Sequence, residues 1–84
     1  MDFLVTPEFV ERYEQFDDAH AICIDKAIRQ IAADPEGPWA RRQRVVGEDG
    51  WAWLVIVACG TGEFGLYWRQ AADGIPVLLL LVDK

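Results

Sequence analysis

The segment Trp51-Ala52-Trp53-Leu54-Val55-Ile56-Val57-Ala58 runs eight residues without a polar side chain, and Val77-Leu78-Leu79-Leu80-Leu81-Val82 runs six. Neither alternates. A strand with one face in water alternates apolar with polar residues, so these two read as strands covered on both faces. Their apolar runs extend to Cys59 and from Ile75, well short of the ~20 residues a membrane-spanning helix needs. The constraint is severe because the whole chain has 84 residues. That length allows one small domain, and a domain of this size buries only a modest fraction of its surface. A helical pair covers one sheet face, so the other face requires a cover from elsewhere.

The remaining elements follow from periodicity and turn chemistry. Residues 2–6 form a short strand around Phe3, Leu4 and Val5. Thr6 offers an N-cap oxygen and Pro7 suits the first helical position. Phe9, Val10, Tyr13 and Phe16 then make one apolar stripe of a helix over about residues 8–16. Asp17 or Asp18 caps a second helix, whose stripe is Ile24, Ala27, Ile28 and Ile31, widened by Ala21 and Ile22. It stops at Asp34-Pro35, because proline disfavours helical geometry at the residue before it. Beyond the loop Glu36-Gly37-Pro38, strands are expected over 43–46, 51–59, 64–70 and 76–82, separated by turns at Gly47-Glu48-Asp49-Gly50, Gly60-Thr61-Gly62-Glu63 and Asp73-Gly74. The order β-α-α-β-β-β-β predicts an α+β fold, with a helical hairpin packed on one face of a mainly antiparallel sheet.

With residues 60–63 as the loop, Cys59 lies opposite Phe64. Trp53, Val55, Val57, Leu66 and Trp68 then share the face that meets the helices. Ala52, Leu54, Ile56, Ala58, Tyr67 and Arg69 share the other. This second set is smaller, still mostly apolar, and ends in Tyr67 and Arg69.

Charge and cysteine usage narrow the function classes. Eight basic and fourteen acidic residues leave a net charge of −6. That sign disfavours RNA, the ribosome or any phosphate backbone as the general ligand. The N-terminus, Met1 to Pro7, lacks the basic flank and long apolar core of a signal peptide. A cytoplasmic chain without a membrane partner is expected. Cys23 and Cys59 form no CxxC and are expected as two reduced, partly buried thiols.

Each local motif has an ordinary reading beside a functional one. Gly60-Thr61-Gly62-Glu63-Phe64-Gly65 matches GxGxxG, but a strand follows it where a dinucleotide fingerprint needs a helix, so a glycine-rich hairpin turn is expected. His20 and Cys23 have zinc-ligand spacing without a second paired cluster, and His20 is expected in an ordinary helix-start role. The acidic pairs Asp17-Asp18 and Glu48-Asp49 fall where a helix start and a turn use acids locally. No metal or cofactor is expected. Arg41, Arg42 and Arg44 put +3 into one short segment and leave −9 for the rest. They read either as a solvated strand edge that discourages aggregation or as a site for phosphate or an acidic partner peptide. The tryptophans at 39, 51, 53 and 68 read as core packing in preference to base stacking.

This element order, with TPEFVERYEQFDDAHAICIDKAIRQIAADP followed by a strand meander, resembles the RelE/ParE toxin superfamily over nearly the whole chain. The resemblance implies a component of a toxin–antitoxin pair. RelE-like members cut messenger RNA on the ribosome, ParE-like members poison gyrase, and an antitoxin segment wraps either kind. It also implies basic residues on the exposed face of the central strands in the ribonucleases. At those places this chain has Ala52 and Leu54, has Gly65 after Phe64, and has Val82-Asp83-Lys84 where a C-terminal tyrosine would stand. Losing one charge-stabilising group from such a site costs a few kcal/mol of barrier, about 3 for a single oxyanion donor.

The expectation is therefore a toxin-like component of a type II toxin–antitoxin system, without the usual ribonuclease site, acting through protein binding. An antitoxin-like protein or a second copy would cover the apolar sheet face, with Arg41, Arg42, Arg44, Leu54, Ile56, Tyr67 and Arg69 as partner-binding residues. The alternatives are an active messenger-RNA endonuclease with a rearranged site of Arg44, Tyr67 and Arg69, and a small acidic protein-interaction domain unrelated to toxins.

Overall fold

In the computed structural model, residues 3–48, 50–60 and 62–84 are described. The chain runs β1 (Leu4–Val5), α1 (Pro7–Tyr13), α2 (Asp18–Ala33), β2 (Gln43–Gly47), β3 (Gly50–Cys59), β4 (Gly62–Gln70) and β5 (Pro76–Asp83). The sheet order is β1-β5-β4-β3-β2. All neighbours are antiparallel except β1 and β5, which run parallel with Leu4 opposite Val77. This is the α+β fold expected from the element order.

Local chemistry sets the helix boundaries. The Thr6 hydroxyl accepts from Phe9 N at 3.2 Å, with Pro7 beginning the helix behind it. The same hydroxyl donates to Leu79 O at 2.6 Å. That carbonyl is available because the β4–β5 ladder shifts register between Tyr67 and Trp68, pairing Tyr67 with Leu80 but Trp68 with Leu78. The cap therefore also ties the start of α1 to a bulge in β5. α1 ends at Tyr13, earlier than the Phe16 stripe suggests, and Phe16 packs on the core from the link to α2. Asp17 caps α2, accepting from His20 N at 2.9 Å.

Phe9, Ile24, Ala27, Ile28 and Ile31 meet Val55, Val57, Leu66, Trp68, Leu78 and Leu81 in the core. Trp68 is fully buried and donates through Nε1 to Ala40 O at 2.9 Å, so its one polar group is satisfied where water is absent.

Two expectations change. Cys59 lies opposite Gly62, and Val57 opposite Phe64, so the β3–β4 turn is two residues tighter than 60–63. Gly60, at φ +63°, provides the left-handed conformation this tight turn requires; Thr61 lies outside the described residues. A shift of two preserves side-chain parity, and the face assignment survives unaltered. Cys23 and Cys59 are not free thiols. They form a disulfide that joins α2 to β3, across the helix–sheet interface that sequence separation alone conceals. No helix of the described residues is long and apolar enough to cross a membrane.

Candidate functional site

The helices occupy one face of the sheet. Val45, Ala52, Leu54, Ile56, Ala58, Tyr67 and Arg69 lie on the opposite face, by alternation from the register. Leu80, paired with Tyr67, and Val82, paired with Gly65, continue it onto β5. Leu4, opposite Val77, brings it to β1. No helix of the described residues packs over this face.

The face is uneven. Leu54 is only 3% exposed although no helix covers it, whereas Ile56 and Leu80 are each 41% exposed and Leu4 53%. Gly65 explains the difference. A Cβ there would sit 3.2 Å from Leu54 Cδ1, 3.2 Å from Val82 Cγ2 and 3.0 Å from Lys84 Cε. These three side chains converge over the space the glycine leaves, so the middle of the face closes on itself. Of the two residues expected to lead a contact, Ile56 presents surface and Leu54 supports it from beneath.

Beside this closed patch lies a groove of about 370 Å³, lined by Val45, Ala52, Tyr67, Leu79 and Leu80, with Arg69 and Glu48 as charged lining residues. It collects apolar surface from four strands and contains two of the expected partner-binding residues, Tyr67 and Arg69.

The arginine segment divides three ways. Arg41 donates through Nε to Pro35 O at 2.9 Å and through Nη2 to Gln70 Oε1 at 2.7 Å, and its guanidinium lies 5.4 Å from the Trp53 ring centroid. These contacts fasten the loop before β2 to the sheet. Arg44 lies opposite Trp53, hence on the helix side, with its guanidinium 4.8 Å above the Trp51 ring. Arg42 is exposed at the bend before β2. The seven expected residues therefore do not form one patch. Arg42, Leu54 and Ile56 line one cavity of about 430 Å³ with Trp39, Gln43 and Val55, Tyr67 and Arg69 line the groove beside it, and Arg41 and Arg44 take part in neither. Arg44 is on the opposite side of the sheet from Tyr67 and Arg69, so those three do not converge on one reacting group.

His20 is engaged at the start of α2, its Nδ1 lying 2.7 Å from Asp17 Oδ1. The backbone and side-chain hydrogen bonds from His20 hold the Asp17 carboxyl below its ordinary value. Cys23 is bound in the disulfide and offers no thiolate to a metal. Among the described residues no group of three or more His, Cys, Asp or Glu side chains is placed to hold a metal ion. The Tyr13 hydroxyl donates to Asp25 Oδ1 at 2.8 Å, and that bond raises the phenol's pKa above 10.0. Of the acidic pair Glu48-Asp49, Glu48 is exposed in the β2–β3 turn and Asp49 lies outside the described residues.

Sequence reasoning missed Leu79, Leu80 and Val82 as parts of this face. Their unbroken apolar run hides the alternation that would assign them, and the bulge changes its phase. Comparisons with protein-family models, curated proteins and solved structures returned no match to this chain.

Proposed function

We propose that the chain works through protein binding, as a toxin-like component of a type II toxin–antitoxin pair that lacks ribonuclease chemistry. The observation that carries the binding reading is the apolar sheet face left uncovered, where Ile56 and Leu80 are both 41% exposed beside the Tyr67 groove. A contiguous apolar face on a monomer marks a contact surface. Ala52, Leu54 and Gly65, where the resembled ribonucleases carry charge, support the absence of that chemistry, as does the separation of Arg44 from Tyr67 and Arg69.

Charge distribution supports the choice of an antitoxin-like occupant. Residues 6–36, which build the helical layer, hold eight acidic and three basic side chains, whereas residues 41–84 hold five of each. The uncovered face carries Arg69 and, at its centre, Lys84, with Glu48 and Glu63 towards its ends, whereas the helical layer has a surplus of five acidic side chains. A partner segment with an apolar ridge and flanking carboxylates would complement this side of the molecule and be repelled by the other. A cytoplasmic setting belongs to the same reading. There Cys23 and Cys59 would be kept as thiols, whereas an oxidising compartment would keep the bridge.

The test is induced expression of the chain alone in a bacterial host, following growth, message integrity and the redox state of Cys23 and Cys59 by alkylation. Growth arrest with intact messages is expected, relieved by Ile56→Asp and by Leu80→Asp in folded, soluble protein, because without its antitoxin-like occupant the same face is open to the toxin's target. Arrest with cleaved messages would overturn the loss of ribonuclease chemistry. Normal growth with soluble, folded protein would remove the toxin role.

A further inference from the structure

β2 ends the sheet on the side away from β1, and no strand of the described residues lies beside its outer edge. It is the longer of the two outer strands, five residues against two. An edge of this kind presents unpaired backbone groups to any second strand. Gly47 and Gly50 close a two-residue turn and so form a hydrogen-bonded pair of the ladder. Alternation then directs the N–H and C=O groups of Gln43, Val45 and Gly47 at β3, and those of Arg44 and Val46 outward. Val46 is 74% exposed, the most exposed large hydrophobic among the described residues.

We propose that this edge pairs with the same edge of a second copy, antiparallel about a two-fold axis through Val45, making one continuous ten-stranded sheet. The edge is self-complementary in that register. Gln43 meets Gly47, Arg44 meets Val46, Val45 meets itself, and just beyond the strand Arg42 comes level with Glu48, twice per dimer. Unlike charges opposite each other favour a strand pair and like charges disfavour it. Moving the axis to Arg44 sets Arg44 against its own copy. Moving it to Val46 sets Arg44 opposite Glu48 but takes Gln43 and Arg44 out of strand pairing, so fewer residues of β2 are paired. Only the Val45 axis pairs all of β2 with unlike charges at both ends. The arginines that keep the edge from indiscriminate pairing thus allow one partner, an identical edge. This contact shares Val45 and Glu48 with the rim of the Tyr67 groove but uses none of Ile56, Tyr67, Arg69 and Leu80, so it goes beyond the protein-binding reading and is tested separately from it.

Sedimentation velocity on the intact, disulfide-bonded chain, at concentrations up to about 1 mM, tests the proposal. A monomer–dimer equilibrium is expected. Arg42→Glu and Glu48→Arg each place like charges together twice and should weaken the dimer by about tenfold or more. The double variant Arg42→Glu/Glu48→Arg restores the pairing and should recover the native dissociation constant. Val46→Pro removes an outward N–H without touching the β3 ladder and should leave a folded monomer. A native chain that stays monomeric at the highest concentration, or a double variant that dimerises no better than the single ones, overturns the proposal.

Discussion

Reduction of the Cys23–Cys59 bridge offers a perturbation whose size follows from topology. The two cysteines are 36 residues apart, and the closed loop contains α2 from Cys23 to its end, all of β2 and all of β3. Cross-linking a loop of this length removes chain entropy from the unfolded state worth about 4 kcal/mol, between the values for 15- and 100-residue loops. A domain of 84 residues has a total stability of roughly 4–13 kcal/mol. The bridge thus supplies a third or more of what holds the chain folded. Guanidinium titration with and without reductant, with thiols counted by mass after alkylation, measures the effect. Full reduction should lower the midpoint by about 1–2 M. A Cys23→Ala/Cys59→Ala variant should match the reduced protein and respond to no reductant. If the fully reduced chain unfolds at the midpoint of the oxidised one, the loop-entropy reasoning is refuted.

Further outcomes follow from single contacts. Trp68→Phe deletes the bond to Ala40 O and leaves that carbonyl without its indole partner in the core, so urea unfolding should show a loss of about 1–3 kcal/mol. Gly65→Ala forces a Cβ against Leu54, Val82 and Lys84 and should cost about 1–2 kcal/mol, whereas Gly62→Ala, with open space around it, should cost less than Gly65→Ala in the same assay. Thr6→Ala removes the cap on α1 and the bond to Leu79 O together, and a fall in thermal midpoint corresponding to about 1–2 kcal/mol is expected. Asp17 has its folded pKa depressed by the bonds from His20, so its contribution is complete above the unfolded value of 3.8 and is lost as pH falls through the lower folded value. Carboxyl NMR titration should place the Asp17 midpoint below 3.8, and a midpoint at or above it would contradict the capping geometry.

The element order, the helix caps and the division of the sheet into two faces were all legible in the chain, because each depends on neighbours within a few residues. Thr6-Pro7 and Asp17-Asp18 begin helices through side-chain oxygens that reach three residues ahead. The face assignment on β3 and β4 survived an error in turn length because parity has a period of two. The unbroken apolar run of β3 already marked its second face as apolar, since alternation is a local property.

Tertiary structure decided what depends on distance across the fold. Leu54 and Ile56 are two residues apart on the same face, yet one is buried and the other open, because Leu54 closes with Val82 and Lys84 over the space left by Gly65 on the next strand and Ile56 does not. The three arginines look equivalent as a cluster, but Arg41 is consumed by Pro35, Gln70 and Trp53, Arg44 rests on Trp51, and Arg42 remains exposed. Cys23 and Cys59 give no local sign of pairing. Only the packing of α2 on β3 brings their Cα atoms to 5.8 Å, a separation a disulfide can span. Periodicity and turn chemistry act along the chain and can be read from it. Which side chains meet, which are covered and which stay open depends on residues far apart in sequence, such as Cys23 with Cys59, 36 apart, and Thr6 with Leu79, 73 apart, and is settled when the sheet and helices close on each other.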